Sequence, residues 1–197
     1  MIKPNYSEDA PPEQIEINGI KYNVNTDYRV WINIMELRDN LISDANSEND
    51  MIMNYETMCK MEMLAFGGII PYDMSFVIGK MIEFSNGYPS TPLNGQPLTN
   101  ENVFDFYYDI NEVIVAIRTQ YGIDLSYKCK HFHWWEFLIL FNGLCGEHVV
   151  LDLIKKRGYT GKDKDLLNIK YRYMLPDRKS GDTEKLAKEM DDIFYNT

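Results

Sequence analysis

The feature that most constrains this sequence is a segment, residues 134–144, that is apolar nearly all round. Written as a helix, it leaves almost no face that is suited to water. A helix of this kind is stable only when other elements surround it. The segment therefore predicts a central buried helix, and the rest of the chain must supply the elements that cover it.

Amphipathic periodicity predicts that most of these covering elements are helices. Apolar residues recur three and four residues apart in residues 28–41, 48–66, 72–84, 101–121, 146–156, 162–175 and 183–195. Ser47 and Asp50 resemble a capping box at the start of the second of these helices. Gly122 after Tyr121 is typical of a glycine that ends a helix.

One β element precedes the helices. Residues 15–17 and 20–24 alternate apolar and polar side chains around Asn18-Gly19, a pair that accepts positive φ at both positions of a type I′ turn. This pattern predicts a hairpin. The expected fold is therefore mainly α, a helical bundle with a small N-terminal β-hairpin.

The length of 197 residues favours about one domain with appendages. Residues 1–14 are proline-containing and poor in apolar side chains, and are predicted to be a flexible lead. Residues 15–176 are predicted to hold the hairpin and the bundle. Residues 177–197 are predicted to be a C-terminal amphipathic helix that could move.

Charge and hydropathy argue against two classes of partner. Twenty Lys and Arg against thirty Asp and Glu give a net charge of −10, so the average surface repels a phosphate backbone. Residues 155–179 are locally basic, but an ordinary amphipathic helix explains them better than nucleic-acid binding does. No apolar run approaches the roughly 20 residues of a membrane-spanning helix. We expect no nucleic-acid partner, no membrane and a cytoplasmic location.

A cluster of cysteines and histidines offers an alternative. Cys129, His131, His133, Cys145 and His148 are zinc-ligand types and fall within twenty residues. Their spacing matches no established zinc pattern, and histidines here also suit the start of a helix. We therefore expect no metal and no cofactor, with a zinc enzyme or zinc-stabilised module at these residues as the alternative.

Nucleophilic chemistry has little support in the sequence. Cys145, Glu147 and His148 supply the residue types, but the chain has no nucleophile elbow of the G-x-S-x-G kind and no Walker spacing. A buried structural thiol explains such a cysteine with fewer assumptions. We expect no catalytic residues and no enzymatic activity.

Four short segments resemble the bacteriophage gene-product-fifteen family. They are Asp27-Tyr28-Arg29, Phe104-Asp105-Phe106, Tyr121-Gly122-Ile123-Asp124-Leu125 and His133-Trp134-Trp135-Glu136-Phe137. The Tyr-Gly-Ile-Asp-Leu and His-Trp-Trp segments are the most specific, and the resemblance spans residues 15–174. Cys129 and Cys145 lie outside this pattern, which weakens the zinc alternative.

The resemblance implies a protein encoded among the tail genes of long-tailed phages and prophages of Gram-positive bacteria. It implies a tail-assembly chaperone in the cytoplasm of the bacterial host, which coats the apolar helices of the tape measure until the tail tube forms. No catalytic residues come with the family. Six residues match its signature, and we expect them to be structural: Tyr121, Gly122, Asp124, His133, Trp134 and Trp135.

Two surfaces would suit such a partner. Seven of the eleven methionines fall between Met51 and Met81, and methionine packs adaptably against varied surfaces, although it also fills irregular cores. The predicted contacts with the tape measure or another tail protein are Met51, Tyr55, Met58, Leu186, Met190 and Ile193. A second copy of the chain is a further candidate partner. Replacing Met190 and Ile193 by Asp is expected to abolish partner capture with unchanged far-ultraviolet circular dichroism.

Overall fold

The computed structural model describes residues 10–43, 45–88, 102–126 and 129–176. Within these ranges the chain forms one antiparallel hairpin followed by seven helices, which confirms the predicted fold class. The elements are β1 Gln14–Ile17, β2 Ile20–Asn23, α1 Tyr28–Asp39, α2 Glu48–Phe66, α3 Met74–Ser85, α4 Phe106–Tyr121, α5 Trp134–Asn142, α6 Val149–Arg157 and α7 Lys164–Tyr173. The helix predicted over residues 183–195 lies outside the described residues.

The hairpin has the predicted turn. Asn18 and Gly19 have φ values of 54° and 82°, and Ile17 pairs with Ile20 across the turn. This register places Ile15 and Ile17 on one face of β1, where both are buried against the bundle, while Ile20 is half exposed. The hairpin therefore covers part of the core beside α3.

The helix boundaries follow capping chemistry. The capping box of Ser47 and Asp50 is formed at the start of α2, and Gly122 ends α4 in the left-handed region with a φ of 71°. Helix α4 begins five residues later than predicted because the side chain of Asp105 accepts from Tyr107 N and sets the start. Helix α6 begins three residues later than predicted because Gly146 has a φ of 85°.

The core is built around the beginning of α5. Trp134, Trp135 and Phe137 are buried, whereas residues 138–141 are partly exposed and Asn142 is exposed. The prediction of a helix buried on all sides is therefore correct only for its first turn. The remainder of α5 lies at the edge of the bundle.

Helix α1 is predicted over residues 28–41 and ends at Asp39. Tyr28, Ile32 and Ile34 lie in the core. Trp31 is completely buried, and its indole N–H donates to Asn25 O at 2.7 Å. Val30 and Leu37 are partly buried against this core.

Candidate functional site

Two helices of the bundle start side by side. Tyr28 N donates to Phe132 O at 2.9 Å, and Trp134 N donates to Thr26 O at 2.7 Å. These two hydrogen bonds form an isolated antiparallel bridge between Asp27 and His133, which are the N-caps of α1 and α5. The His-Trp-Trp segment therefore lies at the point where the first turns of α1 and α5 meet.

The indoles of the His-Trp-Trp segment are fixed by backbone carbonyls. Trp134 Nε1 donates to Ser85 O at 2.9 Å, and Trp135 Nε1 donates to Phe84 O at 2.8 Å. Both acceptors lie at the end of α3. Buried indoles need such partners, so the two tryptophans dock α3 onto α5.

His133 is held as a neutral ring. Its Nδ1 accepts from Trp135 N at 3.0 Å and caps the helix, while its Nε2 lies 3.1 Å from the carbonyl oxygen of Pro12. A carbonyl only accepts, so Nε2 carries the proton. Burial lowers the pKa of His133 below its usual range, and the bond to Pro12 O opposes that effect. A ring used in this way is not a metal ligand.

An ion pair between Asp27 and Arg29 lies beside the bridge that joins the starts of α1 and α5. The guanidinium of Arg29 donates to both carboxylate oxygens of Asp27, at 2.7 Å each, and also to Lys130 O. Burial opposes the ionisation of Asp27, but hydrogen bonds from Arg29 outweigh it and lower the pKa of Asp27. Asp27 and Arg29 stand in the Asp-Tyr-Arg segment of the family pattern but were not predicted as site residues.

The second signature segment ends α4. Gly122 provides the left-handed C-cap, and Asp124 forms an ion pair with Arg118. Hydrogen bonds from Ser126 and Arg118 lower the pKa of Asp124 to about 2. The hydroxyl oxygen of Tyr121 lies close to Gly143, and a Cβ there would be 2.6 Å from it, so the ring would have to shift if Gly143 were replaced. These contacts give structural roles to this part of the signature.

The five zinc-ligand candidates are not brought together. Cys129, His131 and His133 lie before α5, and Cys145 and His148 follow it, so a helix about 14 Å long separates the two sets. His148 Nε2 lies 3.1 Å from Gln120 Oε1, and His131 Nε2 lies 3.0 Å from Thr26 Oγ1. Within the described ranges, no three His, Cys, Asp or Glu side chains are grouped so as to hold a metal ion.

Gln120 had no role in the prediction, yet it organises the loop after α5. Its amide donates to Gly143 O at 2.8 Å and accepts from Cys145 N at 2.9 Å, and the same oxygen faces His148. No sequence signal marks this partly buried glutamine as such an anchor, because its partners are distant in the sequence.

The predicted methionine surface lies on α2. Residues 51, 55, 58, 62 and 65 recur at four- and three-residue intervals and form one row, which we call the α2 stripe: Met51, Tyr55, Met58, Glu62 and Ala65. Its inner end is covered, with Glu62 at 0% and Ala65 at 1% exposure. At its outer end, Met51 is 58% exposed and Tyr55 is 57% exposed. The stripe therefore runs from the core to solvent.

The exposed end of the α2 stripe has apolar neighbours. Ile52 is 49% exposed and Met53 is 47% exposed, and no residue of α2 before Met61 is fully buried. The helix is anchored there by Asn54, which bonds both the N–H and the carbonyl of Ile42 at 2.9 Å. Leu186, Met190 and Ile193, the other predicted contacts, lie outside the described residues.

Arg157, a residue of the basic stretch, is buried in the fold. Arg157 forms a bidentate ion pair with Asp109, at 2.6 and 2.9 Å, with both side chains buried. Asp105 and Asp109, one helical turn apart at the start of α4, are both buried, and Asp105 N donates to Asp109 Oδ2 at 3.1 Å. None of the described helices is both long and apolar enough to span a bilayer.

The chain matches a known protein family over most of its length. Residues 8–179 match the family described as Bacteriophage Gp15 protein. No curated protein and no solved structure matches the chain. The match covers most of the sequence, including both signature segments, and points to a phage protein of structure or assembly. The chain belongs to the Bacteriophage Gp15 protein family.

Proposed function

We propose that this protein is a non-enzymatic tail-assembly chaperone, which binds a hydrophobic helical tail component, the tape measure, in the cytoplasm of the bacterial host. The observation that carries the proposal is the exposed end of the α2 stripe, where Met51 and Tyr55 continue a core-facing row into solvent. Family membership supports the phage setting.

The contact chemistry suits a chaperone. Methionine side chains adapt to varied apolar partners, and the exposed part of the stripe, from Met51 to Tyr55, spans little more than one helical turn. A contact of this length is weak and reversible on its own. Many copies along one long helix would together hold it firmly and still release it when the tail tube forms.

Co-expression with the adjacent genes of its operon tests the proposal. The tagged full chain is purified, and the co-eluting proteins are identified by size-exclusion chromatography and mass spectrometry. We expect a stable complex with a long helical tail protein. The pair Met51→Asp and Tyr55→Asp is expected to lose that complex because charge replaces the apolar contact.

The matched control is Val115→Asp on α4, since Val115 is 57% exposed and lies away from the stripe. This variant is expected to retain the complex. Elution of the wild-type chain alone, with a tape measure that is soluble without it, would refute the chaperone function. If the double variant and the control capture the tail protein equally well, the α2 stripe is not the contact surface.

A further inference from the structure

Helix α7 carries an apolar row that its described neighbours cover only in part. Leu166, Ile169 and Tyr173 lie three and four residues apart, and therefore on one side of the helix. Leu166 is 44% exposed, Tyr173 is 40% exposed, and Met174 directly after the helix is 48% exposed. Helix α7 packs on α6, and its one buried residue is Lys170, beside this row. We call Leu166, Ile169 and Tyr173 the α7 row.

The chain that follows α7 has a matching apolar pattern in its sequence. Leu186, Met190 and Ile193 recur four and three residues apart within residues 183–195, which lie outside the described residues. The nine residues 174–182 that connect this segment to α7 can span about 30 Å when extended. Two packed helices need only about 8–10 Å between their axes. The connection is therefore long enough for the segment to return along the α7 row.

Charge favours α7 as the place where this segment docks. Residues 182–197 carry five acidic and two basic side chains. Residues 155–176 expose two acidic side chains and four basic ones, which are Lys155, Lys162, Lys164 and Arg172. Residues 48–59, at the exposed end of the α2 stripe, include three acidic and no basic side chains. An acidic segment is therefore attracted by the surroundings of α7 and repelled by those of the α2 stripe.

We propose that residues 183–195 fold back as a helix on the α7 row, with Leu186, Met190 and Ile193 against it. The two apolar rows supply burial, and the opposite net charges select α7 over the α2 stripe. In the docked state these three predicted contacts with the tape measure are covered. Capture of a tail protein through them then requires the segment to leave α7, so docking is autoinhibitory. The docking is independent of the proposed function, and only this consequence rests on it.

Hydrogen exchange of the full chain tests the docking. Exchange of the backbone amides of residues 183–195 is followed by mass spectrometry and compared with a synthetic peptide of residues 177–197. We expect exchange in the full chain to be slower by on the order of tenfold. Leu166→Asp with Tyr173→Asp is expected to abolish this protection, because charge replaces the apolar contact.

Two further variants make the test specific. Tyr171→Asp is the matched control, since Tyr171 is 66% exposed and lies on the side of α7 opposite the row. This variant is expected to retain the protection. Leu186→Asp with Ile193→Asp leaves α7 unaltered and is expected to speed amide exchange within residues 166–173, with unchanged circular dichroism. This reciprocal effect tests the contact even if the variant of the α7 row fails to fold.

Several results would overturn the docking. They are equal exchange in the full chain and the peptide, or protection that survives the double variant of the α7 row. Loss of protection in Met51→Asp with Tyr55→Asp would place the segment on the α2 stripe instead. Protection that falls on dilution, with a dimer detected by light scattering, would assign the contact to a second copy.

Tail-protein capture tests the consequence separately. The double variant of the α7 row is expected to bind the tail protein roughly tenfold more tightly, because the segment no longer has to be released. Unchanged affinity would show that docking does not inhibit capture. If the wild-type chain captures no tail protein but residues 183–195 are protected, the docking stands and the chaperone function fails.

Discussion

Glu62 is a fully buried carboxylate in α2. Its Oε2 accepts from Ile70 N at 2.8 Å and so holds the chain that leads into α3. Its Oε1 has no hydrogen-bond partner among the described residues. Burial raises the pKa of Glu62 above its ordinary value of 4.5, and the bond from Ile70 offsets part of that rise. Keeping the Glu62 carboxylate ionised therefore lowers the stability of the folded state.

Glu62→Gln is expected to stabilise the protein near neutral pH. Glutamine keeps an acceptor for Ile70 N and removes the buried charge, which gives a gain of about 1 kcal/mol in the free energy of unfolding. The raised pKa means that the cost of the carboxylate is present in full above the folded pKa and disappears as the pH falls toward 4.5. Urea unfolding at several pH values measures this difference.

The exposed Glu56 on the same helix provides the control for that experiment. Glu56→Gln is expected to leave the free energy of unfolding within about 0.5 kcal/mol of the wild-type value. If the stability gained by Glu62→Gln does not decrease as the pH falls, the ionised carboxylate of Glu62 is not what destabilises the wild-type protein.

His133 gives the opposite pH dependence. Its pKa is lowered in the folded state, chiefly by burial, so the unfolded chain takes up a proton first as the pH falls below 6.5. The stability that depends on the neutral ring is present above 6.5 and is lost as the pH falls through the folded pKa. His133→Asn keeps a capping side chain but has no such proton to gain.

We expect His133→Asn to cost about 1 kcal/mol near pH 7.5, because the contact with Pro12 is lost. The deficit should narrow as the pH falls below 6.5, because only the wild-type protein is then penalised by protonation. Thermal unfolding followed by circular dichroism measures both quantities. Parallel pH profiles for the two proteins would show that the ring is not neutral in the fold.

Three helices meet at Arg157. The guanidinium at the end of α6 pairs with Asp109 of α4, and its Nε donates to Tyr173 O at the end of α7 at 2.8 Å. Lys170 is the buried residue of α7, and its Nζ donates to Tyr159 O at 3.0 Å. The last helices are therefore held by buried cations as well as by apolar packing.

Breaking this ion pair is expected to be severe. Arg157→Met leaves the buried carboxylate of Asp109 without its bidentate donor, at a cost of about 3–5 kcal/mol. A melting temperature lower by roughly 10 °C follows for a chain of this size. Adding Asp109→Leu should restore much of the loss, since no unpaired charge then remains.

The exposed pair of Lys80 and Glu83, at 2.7 Å, is the control for Arg157. Lys80→Met is expected to change stability by less than about 1 kcal/mol, because solvent already screens that pair. If Arg157→Met is equally mild, the buried pair does not hold the helices together.

Sequence reasoning succeeded where the determinants are local. The turn at Asn18, the capping box at Ser47 and the glycine cap at Gly122 each depend on neighbouring residues, and all three are confirmed. The pattern of the α2 stripe is also local. That Met51 and Tyr55 stay exposed could not be predicted, because exposure depends on how far the other helices extend.

The contacts that escaped prediction join distant parts of the chain. The ion pair of Arg157 and Asp109 links residues 48 apart, and Gln120 reaches a loop more than twenty residues away. A single sequence shows that such polar residues exist but not which partner each finds. For the same reason the zinc alternative could not be judged before the positions of its histidines were known.

The distribution of charge over the whole protein argues against nucleic-acid binding. The net charge is −10, and three of the seven basic residues in the described part of residues 155–179 have partners within the fold. Arg157 is buried with Asp109, Lys156 lies 2.6 Å from Asp152, and Lys170 bonds a carbonyl. The acidic excess of the whole chain therefore opposes phosphate binding more than this stretch favours it.

We expect the full chain not to retard a short DNA duplex in a gel at about 150 mM salt, even at micromolar protein. Repulsion by the acidic surface should outweigh the remaining lysines. A retarded band that weakens steeply as salt is raised would show that the basic stretch acts as a nucleic-acid site.

The bridge between Asp27 and His133 joins residues 106 positions apart. Tyr28 and Trp31 therefore cannot reach their final surroundings until the chain beyond Trp134 has left the ribosome. Helix formation is fast, but closing this long loop is slow, so we expect slower folding than in a bundle whose neighbouring helices pack in order. During synthesis the aromatic side chains of the first helices are therefore exposed to solvent until the later helices are made. We expect this protein, itself proposed to be a chaperone, to need a chaperone during its own synthesis.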